Sequence, residues 1–291
     1  MRQIAIIEAP SILGLRPSGV EELPGALLGA GLAERLGAVS AGRVEAAAYD
    51  PVRDPDSGVL NAAGIARYSG RLADVVSGVL DQGLFPVVLG GDCSILLGNL
   101  LALRRRGRHG LLFLDGHSDF YQPAAEPNGE AASMELALAT GRGPRVLSDL
   151  EGLGPLVRDE DVVAFGFRDA EESAEAGMQP LPAGLEAVDL AGVRAVGARE
   201  AARRAVGRLA GIGGYWVHLD VDVLDDAVMP AVDYRIPGGL SWAELEAVLE
   251  TALGDERAVG FDIAIFNPRL DPDGTLGARL VECLARGWNS A

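Results

Sequence analysis

The chain has 291 residues, 48% of them hydrophobic, and carries a formal net charge of −17 at pH 7. That balance argues for a folded chain with a large core, and the acidity argues against nucleic acid and anionic membranes, because a phosphate-binding surface needs a basic stripe. No run approaches the roughly 18 to 20 apolar residues of a membrane span, and the N-terminus lacks a signal peptide's basic region and cleavage site, so the chain reads as cytoplasmic.

In chain order, Gln3 to Ile7 predicts a first strand, Gly14 to Leu23 a Gly/Pro-punctuated loop, and residues 25 to 36 a helix. Val44 to Tyr49 reads as a second strand. Ala62 to Leu80 has apolar residues at three- and four-residue spacing and predicts an amphipathic helix. Phe85 to Leu89 is a buried strand running into Gly90-Gly91-Asp92-Cys93-Ser94, after which a helix begins with Ser94 as its cap. Leu111 to Leu114, Val162 to Phe167, Tyr215 to Leu219 and Ala258 to Ile265 are further strands, separated by helices near 131 to 140, 198 to 209, 241 to 253 and 275 to 287. Strands alternating with helices imply a mainly parallel α/β sheet covered on both faces, with ligands at the carboxyl ends of the strands. No linker divides the chain, which is expected to form one domain over 1–291.

The polar clusters fall at those strand ends. Asp115-Gly116-His117-Ser118-Asp119 follows an apolar strand with a potential metal ligand at every second position, and side chains at i, i+2 and i+4 of an extended segment share one side. Asp220 and Asp222 close the strand Tyr215 to Leu219 in the same way. Four aspartates gathered without basic residues between them repel, and raised pKa values or bound cations relieve that repulsion, cations being the favoured remedy. Oxygen-dominated ligation with one imidazole suits Mn²⁺, with Fe²⁺, Co²⁺ and Zn²⁺ as alternatives. Other candidates have plainer readings. His218 lies deeper in its strand and reads as a satisfied core histidine, His109 as a surface residue, and Cys283 as core. Arg104 to Arg106 and Arg108 read as a solvated helix end, since no aromatic platform accompanies them.

Gly90-Gly91-Asp92-Cys93-Ser94, Asp115-Gly116-His117-Ser118-Asp119 and Asp220-Val221-Asp222 resemble, in order and separation, the metal motifs of the arginase, or ureohydrolase, family. Gly19-Val20-Glu21-Glu22 and Asn267-Pro268 are similar to further family signatures. The resemblance implies a single three-layer αβα domain with an eight-stranded, mainly parallel sheet and a binuclear manganese centre. In it Asp115 and Asp220 bridge the two ions, Cys93 and Asp119 complete one site, and His117 and Asp222 the other. It further implies hydrolysis of a non-peptide C–N bond in a small guanidino, hydroxyguanidino or amidino compound, in a chain free to form a homo-oligomer. Two divalent ions lower the pKa of a shared water, and Asp119 matches the family carboxylate that passes its proton to the leaving amine.

The departures from the family pattern bear on substrate. Cys93 replaces the usual histidine ligand, as it does in the amidinohydrolase of D-cycloserine biosynthesis that acts on Nω-hydroxy-L-arginine, so the chain resembles a cysteine-ligand branch. Asn128 aligns with a proton-shuttling histidine and cannot titrate. Ile265 aligns with the glutamate that meets the substrate guanidinium, and an unpaired buried guanidinium costs several kcal/mol. L-Arginine itself is therefore not the expected substrate. Glu171 falls where an acidic residue binds a substrate α-amino group, although acidic residues also open helices, and Tyr121 is placed to line the pocket. Glu130, Glu135 and Asp262 are candidates for the missing charge. Two rival readings stand beside the hydrolase: a metal-dependent amide hydrolase of the deacetylase type on the same fold, and a catalytically impaired relative with a binding role.

Overall fold

Alternating apolar runs and helical stretches fold here into a sheet of parallel strands with helices on both faces. The computed structural model describes residues 2–289; Met1, Ser290 and Ala291 of the expected domain lie outside the described residues. In chain order the strands are β1 (Ile4–Ala9), β2 (Val39–Arg43), β3 (Phe85–Gly90), β4 (Gly110–Leu114), β5 (Val162–Phe165), β6 (Glu186–Val188), β7 (Tyr215–Asp220) and β8 (Ala258–Ala264). They form one eight-stranded sheet in the order β2-β1-β3-β8-β7-β4-β5-β6, with every neighbouring pair parallel.

The central strands are buried on both faces, which is why they read as unbroken apolar runs. Leu112 and Leu114 of β4 join one hydrophobic cluster, and Leu111 and Phe113 join the other. The helices Ala62–Asp81 and Ile95–Arg104 cover the second face, the former burying Ile65, Tyr68, Leu72 and Val76. Each such aliphatic side chain contributes about 1.5–3 kcal/mol relative to exposure. Helices Ala198–Arg208, Trp242–Leu253 and Thr275–Asn289 cover the first face. No helix among the described residues is long and apolar enough to cross a membrane.

Strand order positions the site. β3, β8, β7 and β4 lie side by side, so the segments leaving their carboxyl ends, which carry Cys93, Ile265, Asp222 and Asp115, open onto one region. The register sets Val88, Asp262, His218 and Phe113 in one row across these strands, making them lateral neighbours on one face of the sheet. Gly91 lets the β3 loop pass the backbone of Ser11, where a Cβ would come within 1.8 Å of the Ser11 carbonyl oxygen.

Several expected elements are corrected. Val44 to Tyr49 is not a strand; β2 precedes it, and as a largely exposed edge strand it needs no apolar run. Val44 is instead buried in an irregular segment, its carbonyl accepting the Tyr68 hydroxyl at 3.1 Å. The helix expected over 25 to 36 is split into Leu23–Gly29 and Leu32–Leu36 at Gly31, whose φ of 87° is left-handed. The stretch near 131 to 140 divides into a 3₁₀ turn at Ala131–Ser133 and a short helix at Glu135–Ala139. Ser94 does precede the helix Ile95–Arg104, but its side chain caps no helical N–H, and its own N–H is taken by Asp92 at 2.9 Å.

Candidate metal centre

The three loops after β3, β4 and β7 build the floor of one cavity. After β3, Asp92 is a brace: its carboxylate accepts the N–H groups of Gly14 and Ser94 at 3.1 and 2.9 Å. That frees Cys93, buried at 1% exposure, to point at β7, where its Sγ lies 3.0 Å from Asp220 Oδ2. After β4, Asp115 Oδ1 accepts the His117 N–H at 2.6 Å, while Asp115 Oδ2 is buried with no hydrogen-bond partner among the described residues. Asp119 adopts a φ of 42°, a left-handed conformation in which a non-glycine residue is held only by its surroundings. At the end of β7, Asp220 Oδ1 accepts the Asp222 N–H at 2.7 Å, and the Asp222 carboxylate takes the Gly116 N–H at 2.9 Å and lies 2.8 Å from His117 Nδ1. Asp115, His117 and Asp222 each bring a ligand atom within 4.8 Å of the others.

Electrostatics favour a cation here. Burial, and then the charge of Asp222, pushes the Asp115 carboxyl up to about 6. Burial also holds Asp119 and Asp220 well above the usual carboxylate range, reinforced by Asp115 and Asp222 respectively. Desolvation works against the Asp222 carboxylate, yet the charge and hydrogen bond of His117 bring it below that range. Burial and then Asp220 and Glu135 raise the Cys93 thiol far above its ordinary value, so a thiolate there requires a cation beside it. Carboxylates this close in a dry site do not all stay charged unaided, and divalent cations among them resolve the conflict. The donor set therefore fits divalent metal ions.

Below the floor lie two groups whose place the sequence does not announce. Glu135, at the start of its short helix, is fully buried, and neither of its oxygens has a hydrogen-bond partner among the described residues. His218 is a core histidine as expected, stacked on Phe113 at 4.9 Å, but only half satisfied: Nδ1 lies 2.6 Å from Asp262 Oδ2, and Nε2 has no hydrogen-bond partner among the described residues. The alternation of His218 with Asp220 and Asp222 was the available signal for His218. Glu135 was a candidate for the missing charge in the pocket, and nothing in the sequence set it beneath the floor instead.

Above the floor is a cavity of about 250 Å³, lined by Cys93, His117, Asp119, Asp220 and Asp222 below and by Tyr121, Glu126, Asn128, Asp169, Glu172, Tyr234 and Ile265 around it. Tyr121, Asn128 and Ile265 thus face the cavity, as the sequence suggests. Glu171 does not: it borders a separate surface depression with Arg168 and Asp189, and Glu172, one residue on, lines the cavity in its place. None of the three candidates for the missing charge lines it. Glu130 is bound to the Tyr234 hydroxyl at 2.6 Å and the Arg16 N–H at 2.9 Å, Asp262 is engaged by His218, Trp216 and Asn99, and Glu135 lies beneath. Asp169, which precedes the expected acidic position, also lines the cavity. Its Oδ2 accepts from the Ser118 N–H and hydroxyl at 3.1 and 2.7 Å, while its buried Oδ1 has no partner among the described residues. Ile265 carries a φ of 72°, held by its N–H donating to Gly91 O at 2.9 Å.

Comparison with known proteins accords with this geometry. A model of the arginase family matches residues 2–286. The arginase of Staphylococcus aureus is 28% identical over 278 residues, covering 92% of this chain and 91% of its own. The structure of arginase from Bacillus caldovelox superposes with a TM-score of 0.88 at 26% identity, covering 99% of this chain and 98% of that one. Proclavaminate amidino hydrolase from Streptomyces clavuligerus shares the fold, with a TM-score of 0.71 at 21% identity over 100% and 93% of the two chains.

Proposed function

The chain belongs to the arginase family, and from that premise we propose that it is a binuclear metal-dependent hydrolase of a guanidino, hydroxyguanidino or amidino C–N bond, in a cysteine-ligand branch of the family. The observation that carries the reading is the convergence of Cys93, His117, Asp119, Asp220 and Asp222 on the floor of one cavity, with the unpartnered Asp115 Oδ2 among them. These six side chains would hold the ions, with Mn²⁺ as the family-typical metal. When bound, the ions would lower the pKa of water and offset the charge that develops at a trigonal carbon.

The protein's own groups do the rest. Asp119, on the cavity floor beside the positions the ions would take, takes the proton of the attacking water and delivers it to the leaving nitrogen. Asn128 hydrogen-bonds but does not titrate, so no second proton carrier faces the cavity at that position. Asp169 Oδ1 and Glu172 offer negative charge to a substrate ammonium, and Tyr121 and Leu15 close the cavity wall. The relatives named arginase favour L-arginine as substrate. Ile265 favours a substrate whose reacting end needs no carboxylate partner, and we give that observation precedence because it concerns this chain's own cavity.

A panel assay on Mn²⁺-reconstituted protein tests the proposal: urea release from L-arginine and agmatine, hydroxyurea release from Nω-hydroxy-L-arginine, and amine release from acylated amines. Metal-dependent urea or hydroxyurea release is expected, weakest relative to other guanidino compounds for L-arginine. Amine release alone would move the protein to the deacetylase type, and full metal binding without turnover to a binding role.

A further inference from the structure

Beneath the cavity, Cys93 Sγ, Asp115, Glu135 and His218 Nε2 each place a ligand atom within 4.8 Å of the others. We propose that these four residues hold one ion of the pair in a buried mixed-donor zinc site, with Glu135 and His218 as its added ligands. The inference rests on the metal reading of Cys93 and Asp115 and adds two ligands to it.

The support around His218 is that of a metal-bound imidazole. Asp262 Oδ1 accepts from Trp216 Nε1 and from Asn99 Nδ2, the latter at 3.1 Å, and its Oδ2 lies 2.6 Å from His218 Nδ1. The Trp indole and Asn amide nitrogens only donate, so Asp262 acts here as an acceptor and draws an imidazole proton to Nδ1. Nε2 then faces Glu135 Oε1 across 3.8 Å. Carboxylate-to-histidine support of this kind fixes the ring and its tautomer toward a metal. A gap of 3.8 Å is too long for a hydrogen bond, yet near the separation of about 3.4 Å between two ligands that each lie about 2.1 Å from one tetrahedral ion. Both side chains are fully buried at 0% exposure, and the Glu135 oxygens and His218 Nε2 have no hydrogen-bond partner among the described residues, so the pair converges on a dry, unfilled polar position. A thiolate and an imidazole beside two carboxylates form a softer set than the oxygen-rich outer group, which selects Zn²⁺ over Mn²⁺.

The chain has three histidines, and His109 precedes β4 at the opposite, amino end of the sheet. In a His117→Asn variant, any imidazole bound to metal at this centre must therefore be His218. The experiment adds one equivalent of Zn²⁺ to metal-stripped wild type, His117→Asn and Glu135→Gln, and records zinc X-ray absorption together with bound-metal counts after dialysis against excess Mn²⁺. The expected result is one sulfur and one imidazole around the zinc in His117→Asn, zinc retained by wild type, and affinity lowered by more than about tenfold in Glu135→Gln. Zinc without imidazole scattering in His117→Asn, or exchange of the wild-type zinc for Mn²⁺, overturns the inference even if Glu135→Gln fails to fold. Two Mn²⁺ with turnover and no such zinc site would leave the hydrolase reading standing alone; failure of wild type to bind either metal would remove both.

Discussion

Cys93 Sγ lies 3.0 Å from Asp220 Oδ2, joining the loop after β3 to the end of β7 through a buried thiol–carboxylate contact. A neutral thiol there donates to the carboxylate; with a cation between the loops, both become anionic ligands. Cys93→Ala is therefore expected to lose one of two ions, by more than about tenfold in affinity, and most activity, while Cys93→His keeps both ions. Metal counts on the purified variants check this, and full occupancy in Cys93→Ala would remove Cys93 from the ligand set.

The raised carboxyl of Asp115 gives the metal-stripped protein a pH signature. Its value rises from 3.8 to about 6 on folding, mainly through burial, so the folded state holds the proton more tightly than the unfolded chain. The stability this contributes is present below 3.8 and is lost as pH rises through about 6, and Asp119 and Asp220, raised the same way, extend the loss upward. Mn²⁺ is expected to raise the melting temperature more at about pH 7.5 than at about pH 5, because only the charged carboxylates bind it well. Asp115→Asn should flatten the apo slope, as read by thermal scans with and without chelator; an unchanged slope would contradict the burial argument.

Asp262 anchors the polar layer under the site. It is fully buried and engages His218, Trp216 and Asn99, so Asp262→Ala strands three polar groups in a dry core. Loss of about 3–5 kcal/mol is expected, the range for breaking a buried charged network from one side. Urea titration with an unchanged slope would measure it; a loss under about 1 kcal/mol would show that the layer relaxes around the vacancy.

The metal motifs were legible because their chemistry has a local period: Asp115, His117 and Asp119 alternate directly after an apolar strand. β3, β4 and β7 were legible because both their faces are buried. β2 and β6 were not, since edge strands with exposed side chains need no hydrophobic pattern. Glu171 and Glu172 differ only in helical phase, which sequence spacing near a helix start does not resolve. Glu135 and Tyr234 come to the site from segments with no motif of their own; only the packing of the loops over β4 and β7 brings them there.

Ile265 offers the sharpest test of substrate class. Its φ of 72° is costly for a β-branched residue, and the Gly91 carbonyl holds it there. An unbranched side chain tolerates the same backbone at least as well, so Ile265→Glu adds no backbone strain while setting a carboxylate on the cavity wall. Pairing a substrate guanidinium there would recover about 2 kcal/mol of transition-state binding, or about thirtyfold in kcat/KM for L-arginine. Hydroxyguanidino or neutral amidino substrates should gain less, because they carry less positive charge at neutral pH. Steady-state kinetics on the two substrate classes measures the ratio. If L-arginine turnover is already high in wild type and does not rise in Ile265→Glu, the guanidinium is met elsewhere in the cavity, and Glu126, Asp169 and Glu172 become the next positions to vary.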